Sequence, residues 1–404
     1  MSEYLNNYPN IFVHGFTGWG ETDGMYKLMH YWGIGTRDLM ARLQEKGIEC
    51  YSPAQGPYDS LWDRSCKLYA YLFGGTVDYG KVHSERRGHA RYGKTYEHGV
   101  LEDLGQTEAH KKINLYGHSF GGPVVKFFAN MMVQGSKTEQ EGTDPDDLSP
   151  FFKGGQGHLI HSVTTLAGVN NGTTLATLQQ KAFPYLTPIL YGGTGLFGSS
   201  HVMKFLDFGN QQYGINEYAE NIVLGKLPNP VDWFKGTKTI SENKLDNAAY
   251  EMTIEYCKEV NEGQITDPNI YYFAQRGSNS IALPNGKNIS HPSLNPFCAI
   301  PGMFVGTRLP EETGGYYVDE EWYRNDGYVN VPGQSAPFNA PYEDGEIGVT
   351  DFKPGVWYNM PVVKHDHVFW NGYSGSKKEY FETWDKIIDN NRSLPDGETV
   401  NRED

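Results

Sequence analysis

Five residues constrain this chain more than any others: Gly117-His118-Ser119-Phe120-Gly121, a Gly-x-Ser-x-Gly pattern between a short apolar run and a helical repeat. Ile113–Tyr116 reads as a buried strand, and Val124–Val133 as a helix with apolar residues at 124, 125, 127, 128, 131 and 132. Pro123 fits such a helix only in its first turn, where the missing N–H has no partner to lose. The chain must then reverse from strand to helix over a single serine. Glycines on both sides remove the Cβ atoms that would collide across the turn. Ser119 is forced into a strained backbone conformation, and its hydroxyl is presented at a helix N-terminus, where negative charge is favoured. The pattern predicts a nucleophile turn in an α/β sheet.

A serine hydroxyl attacks only with a base beside it and an orienter behind the base. In folds built around this turn the chain order is Ser, then Asp or Glu, then His. The acid candidate is Asp326 in Arg324-Asn325-Asp326-Gly327, although an Asp-Gly pair is also ordinary turn chemistry. The last histidines, His365 and His367, flank Asp366 and are the candidates for the base. An oxyanion requires N–H donors, one from the residue after the nucleophile and one from the loop after an earlier strand. Phe120 supplies the first. Phe16, in the loop His14–Gly20 that follows the apolar run Ile11–Val13, supplies the second, unless that loop is a plain tight turn.

Composition bounds the remaining possibilities. The chain has 404 residues, enough for two or three domains or one decorated α/β core. Acidic residues outnumber basic ones 49 to 34, so nucleic acid is not expected as a partner and solubility accounts for the charge of −15. No run approaches the roughly 18 apolar residues of a membrane span. Four cysteines, at 50, 66, 257 and 298, are widely spaced and indicate neither a disulfide framework nor a thiolate metal site. Met1–Asn10 shows no basic stretch followed by an apolar one. Thr36–Lys46 is expected as a helix with Gly47 after its end, His158–Leu166 and Tyr271–Phe273 as strands, and Asn247–Val260 as a helix. Residues 58–105 break the βα rhythm and read as an insertion. Residues 136–150 read as a polar surface loop, and 175–235 as an apolar, glycine-rich cover. Such a cover would expose its apolar side chains at a lipid or polymer surface, unless it is an ordinary cap that never opens.

Several further motifs fall in a fixed order: His14-Gly15-Phe16-Thr17-Gly18-Trp19, Trp62-Asp63-Arg64, Gly74-Gly75-Thr76-Val77-Asp78-Tyr79-Gly80, Gly88-His89-Ala90-Arg91-Tyr92-Gly93, Ser162–Leu166, Gly172–Leu175 and Asn325-Asp326-Gly327. Together they resemble the zinc-containing lipase family of Bacillus and Staphylococcus relatives, over about residues 8–390. The resemblance implies one α/β-hydrolase domain over 1–404, with a mostly parallel central sheet flanked by helices. It adds a zinc-binding insertion at 58–105, to which 240–260 contribute, and a helical lid at 175–235. It implies a secreted enzyme, here a mature or trimmed form, acting on acylglycerol or other apolar carboxylic esters at an oil–water or polymer interface. Aliphatic polyesters are a further substrate candidate. The family's nucleophile, acid and base fall on Ser119, Asp326 and His367, and its oxyanion donors on Phe16 and Phe120.

The same resemblance implies a structural zinc ion held by Asp63, His83, His89 and Glu251, with Asp246 as the fallback for the fourth position. Without it, His83 and His89 read as ordinary loop histidines. Relatives also carry a calcium site whose acidic ligands fall on Phe369 and Ser374, so no calcium is expected there. Phe120, where the family usually has Gln, is expected to make the site's mouth more apolar. A rival reading makes the chain a zinc-dependent hydrolase that works through Asp63, His83 and His89, with Ser119 structural.

Overall fold

Alternation along the strands sets the architecture, because a strand buried on both faces must send successive side chains into two different cores. In β1 (Asn10–Val13), Ile11 and Val13 enter one apolar cluster and Phe12 the other. The computed structural model describes residues 4–182, 246–307, 311–313 and 315–397. Six further strands join β1 in a seven-stranded sheet: β2 (Cys50–Tyr51), β3 (Ile113–His118), β4 (Ile160–Leu166), β5 (Tyr271–Gln275), β6 (Tyr342–Asp344) and β7 (Trp357–Asn359). Their order is β6-β7-β5-β4-β3-β1-β2, and every neighbouring pair is parallel. This is the mostly parallel α/β sheet expected from the sequence.

Helices cover both faces. On one side lie α2 (Leu61–Phe73) and α4 (Gly121–Gln134), whose Leu68, Leu72, Val124 and Phe128 are fully buried with Leu115 and Val163 of the sheet. On the other lie α1 (Leu39–Glu45) and the C-terminal α5 (Lys377–Ser393), which bury Leu39, Leu43, Tyr380, Trp384 and Ile388 around Phe12 and Tyr116. Burying each such side chain contributes about 1.5–3 kcal/mol, and these two layers hold the sheet between them.

Local signals account for most boundaries. Helix α1 begins later than expected because Asp38 caps it, accepting the Met40 N–H at 3.0 Å, and Gly47 follows in the left-handed region at φ 73°. Pro123 lies in the first turn of α4, as its chemistry requires. Residues 58–105 contain α2, capped by Ser60, a two-stranded hairpin (Gly75–Asp78 with Tyr92–Tyr96) and α3 (Lys81–Arg87). Residues 136–150 are not a plain loop: Ser136 caps a short helix, Lys137–Gly142, whose Glu139 is buried. The helix expected over 247–260 is two, Ala248–Glu251 and Ile254–Glu262, because Thr253 caps the second. Of the expected cover, 175–182 belongs to the helix Thr174–Ala182, and 183–235 lies outside the described residues. Among the described residues no helix is long and apolar enough to cross a membrane.

Candidate active site and metal centre

Ser119 follows β3 directly and has φ 56°, a conformation non-glycine residues rarely adopt. The surrounding backbone holds it there. Its N–H donates to the Leu166 carbonyl at 3.0 Å, and its own carbonyl accepts from Gly122 at 3.0 Å and Val169 at 3.2 Å. The flanking glycines are obligatory for steric reasons: a Cβ on Gly117 would sit 2.1 Å from the Gly121 oxygen, and one on Gly121 2.3 Å from the Val13 oxygen.

Asp326 and His367 meet although 41 residues separate them. The His367 Nδ1 lies 2.8 Å from Asp326 Oδ2, and the His367 backbone N–H donates to the Asp326 carbonyl at 2.9 Å. The other carboxylate oxygen, Oδ1, accepts the N–H groups of Tyr328 at 2.9 Å and Val329 at 2.8 Å. Asp326 has no exposed surface, so its orientation is fixed by these bonds. His365 goes elsewhere: its ring stacks on Phe369 at 3.5 Å and its Nε2 faces Glu379 at 3.3 Å.

Ser119 and His367 line one cavity of about 430 Å³, together with Phe16, Thr17, Leu175, Met252, Phe297 and Val329 among others. Thr17, beside Phe16, is a second non-glycine residue at positive φ, 61°, and marks strain in the loop. Phe120 departs from expectation. Its ring is fully buried in the core and does not reach the mouth, because the turn from β3 into α4 directs it under Arg64, whose guanidinium carbon lies 5.4 Å from the ring centroid. Arg64 is itself fully buried and donates to the His14 carbonyl at 2.6 Å, clamping the loop that carries Phe16.

A second cluster joins α2, α3 and the strand-flanking loops. His83 Nε2 lies 3.5 Å from Asp63 Oδ1 and 3.4 Å from Asp246 Oδ1, and His89 Nε2 lies 3.9 Å from Asp63 Oδ1 and 3.5 Å from Asp246 Oδ2. Tetrahedral zinc with bonds of about 2.0–2.1 Å sets ligand atoms about 3.4 Å apart, and Asp63, His83 and His89 offer one ligand atom each within 4.8 Å of one another. His89 Nδ1 lies 2.8 Å from the Ala90 carbonyl, which fixes its proton there and leaves Nε2 as a lone-pair donor. Trp62 stacks flat on His83 at 4.7 Å. Burial pulls the His83 imidazole down, and the Asp246 and Asp63 carboxylates outweigh it, so the group is pushed up to about 9.

Asp246, not Glu251, is the carboxylate that lies beside the two histidines. Both Glu251 oxygens are engaged elsewhere: Oε2 accepts the Leu61 N–H and Oε1 the Tyr256 hydroxyl, each at 2.6 Å. Glu251 thus serves the first turn of α2 rather than the metal cluster, and burial raises its carboxyl to about 8. Glu139, in a stretch that reads as solvated, accepts the N–H groups of Val82 at 3.1 Å and His83 at 2.7 Å and so anchors α3. At the positions of the relatives' calcium ligands, Phe369 is fully buried and Ser374 donates to Asp366 Oδ1.

Comparison with known proteins places the chain among lipase-like sequences and folds. Residues 6–392 match the family model described as lipase-like, C-terminal domain. Lipase 1 of Staphylococcus aureus is 31% identical over 399 residues, 96% of this chain and 55% of the relative. Lipase 2 of the same species is 31% identical over 382 residues, 90% of this chain and 50% of the relative. The chain therefore spans about half the length of these relatives. Among solved structures, Staphylococcus hyicus lipase superposes with a TM-score of 0.82 at 29% identity, covering 96% of each chain. EstA from Clostridium botulinum gives 0.79 at 29% identity, over 98% of this chain and 89% of that one. The strand order, the serine turn and these matches lead to one conclusion: this chain belongs to the family of lipase-like C-terminal domains.

Proposed function

We propose that this protein is a serine carboxylic ester hydrolase of the lipase type. The observation that carries the reading is one cavity that joins a strained Ser119 to His367, whose other ring nitrogen is held by the buried Asp326. With Nδ1–H directed at Asp326, His367 keeps a lone pair on Nε2 for the Ser119 proton. Ser119 Oγ attacks the ester carbonyl carbon as His367 takes its proton, and the N–H groups of Phe16 and Phe120 hold the oxyanion. The carbon–alkoxy bond breaks, the leaving alkoxide takes the proton from His367, and the acyl group stays on Ser119. Water, giving a proton to His367, then attacks the acyl carbon. The carboxylic acid departs and Ser119 regains its proton. An oxyanion donor contributes roughly 10²–10³ in rate to such a step.

The apolar lining of the cavity favours an ester with an apolar chain, such as an acylglycerol or another apolar carboxylic ester, with aliphatic polyesters included. Secretion, and a lipid–water or polymer surface as the place of action, follow from the family resemblance. Asp63, His83, His89 and Asp246 are the residues to hold zinc, which supplies a cross-link between α2, α3 and the segment before Asn247 when bound. None of the four lines the cavity that contains Ser119 and His367, which argues against the zinc-hydrolase reading.

Phosphonate labelling against chelation separates the two. A serine-directed phosphonate is expected to abolish hydrolysis of a p-nitrophenyl ester with one adduct at Ser119, while a chelator lowers thermal stability first. Immediate, reversible loss of activity on chelation with indifference to phosphonate would reverse the assignment.

A further inference from the structure

Three segments of the site come from distant parts of the chain: the loop before Phe16, the turn at Ser119 and the loop at His367. A buried set of hydrogen bonds links them. The Gly15 N–H donates to the Tyr31 hydroxyl oxygen at 2.9 Å. That hydroxyl lies 2.6 Å from His118 Nδ1, and His118 Nε2 lies 2.9 Å from the backbone carbonyl of His367. His118 is 2% exposed and Tyr31 5%.

Chemistry fixes the direction of every bond. The His367 carbonyl can only accept, so the His118 proton sits on Nε2. Burial and the neighbouring His367 hold the His118 imidazole well below its ordinary range, so it carries one proton and no more. Nδ1 is therefore an acceptor, and the Tyr31 O–H must donate to it. The hydroxyl oxygen is left to accept from Gly15.

Gly15 touches the nucleophile as well: a Cβ there would lie 2.8 Å from Ser119 Cβ and 2.9 Å from the Tyr31 hydroxyl. The chain thus runs from the residue before Phe16, through the residue before Ser119, to the backbone of His367. An alternative account makes Tyr31 and His118 satisfied core residues, since Tyr31 also packs edge-on against Trp19 and Trp32. The kinetic effect of removing the Tyr31 hydroxyl distinguishes the two, because a packing role predicts a loss of stability with the rate kept.

We propose that Tyr31 and His118 are positioning residues, and that the one-way chain Gly15→Tyr31→His118→His367 sets the oxyanion loop and the base loop relative to Ser119. This rests on the ester-hydrolase reading above. Tyr31→Phe removes the acceptor for Gly15 and the donor to His118 while preserving shape. It is expected to lower kcat on a soluble p-nitrophenyl ester by about 10–100-fold, below the full loss of an oxyanion donor. KM should stay within about two-fold and the melting temperature within a few degrees.

His118→Gln, which keeps an N–H near the His367 carbonyl, should retain more kcat than His118→Leu. Because one chain cannot be broken twice, Tyr31→Phe with His118→Leu should lose about as much as the worse single change and not the product. Wild-type kcat in Tyr31→Phe, multiplying losses in the double variant, or a fall in melting temperature with kcat kept would each overturn the proposal. Failure of the ester-hydrolase reading looks different: Ser119→Ala would stay active and no phosphonate adduct would form, and the positioning role would fall with it.

Discussion

Asp326→Asn isolates the contribution of one proton's location. The Asp326 carboxylate faces donors on both sides, with the Tyr328 and Val329 N–H groups at 2.9 and 2.8 Å on Oδ1, and His367 Nδ1 at 2.8 Å on Oδ2. An asparagine here has one oxygen and one NH₂. Turning the NH₂ toward two backbone donors would set N–H against N–H in a fully buried place, so the oxygen stays with Tyr328 and Val329. The NH₂ then faces His367, whose Nδ1 must become the acceptor. The imidazole proton moves to Nε2, the atom that should receive the Ser119 proton. The fold is retained, since every backbone bond survives, yet the base is blocked. A loss of about 10⁴ in kcat is expected, about 5.5 kcal/mol at the transition state. The assay is the steady-state rate on a soluble p-nitrophenyl ester with melting temperature as the control. A fall of less than ten-fold in a well-folded variant would refute the tautomer argument, as would an Nδ1–H signal for His367 by nitrogen NMR.

Other expectations follow from the same geometry. Asp246→Asn should reduce bound zinc to below half an equivalent by metal analysis, while Glu251→Gln retains it; the opposite ranking would return Glu251 to the ligand set. Glu139→Ala removes the acceptor for the Val82 and His83 N–H groups and should weaken metal affinity by about 10–100-fold in chelator competition. Burial lowers the His161 imidazole to about 4, from an unfolded value near 6.5. Its neutral form is the folded one, so its contribution is complete above about 6.5 and fades as pH falls through 4. That shift corresponds to about 3 kcal/mol, and His161→Gln should flatten the pH dependence of urea unfolding across this interval.

The parts of this molecule that the sequence made legible are those where one local motif implies one geometry. Gly117 and Gly121 announce a turn that nothing but glycine can make, and the turn fixes the sheet around it. Asp326 follows from its order along the chain once Ser119 is accepted, whereas order leaves His365 and His367 open and the family resemblance points to His367. Sequence could not choose between Glu251 and Asp246 as the carboxylate beside the histidines, because the two share chemistry and lie five residues apart. The choice between them depends on which carboxylate Leu61 and Tyr256 recruit, and Leu61 lies 190 residues away along the chain. Glu139 was hidden by its acidic neighbours, which make a polar loop of what is a buried acceptor. Tyr31 carried no signal at all, since a hydroxyl gains its role only from the donors that tertiary structure brings to it.

One consequence of helix α2 concerns how the molecule fails. Asp63 and Arg64 are adjacent, the first turned to the metal cluster and the second to the His14 carbonyl. Both side chains leave the same turn of helix, so unwinding of that turn releases both. Heat that frees Asp63 therefore also loosens the loop of Phe16, while the sheet beneath remains intact. On the proposed zinc assignment, activity in a stored preparation should fall with loss of the ion before the fold is lost, which metal analysis beside melting temperature would check.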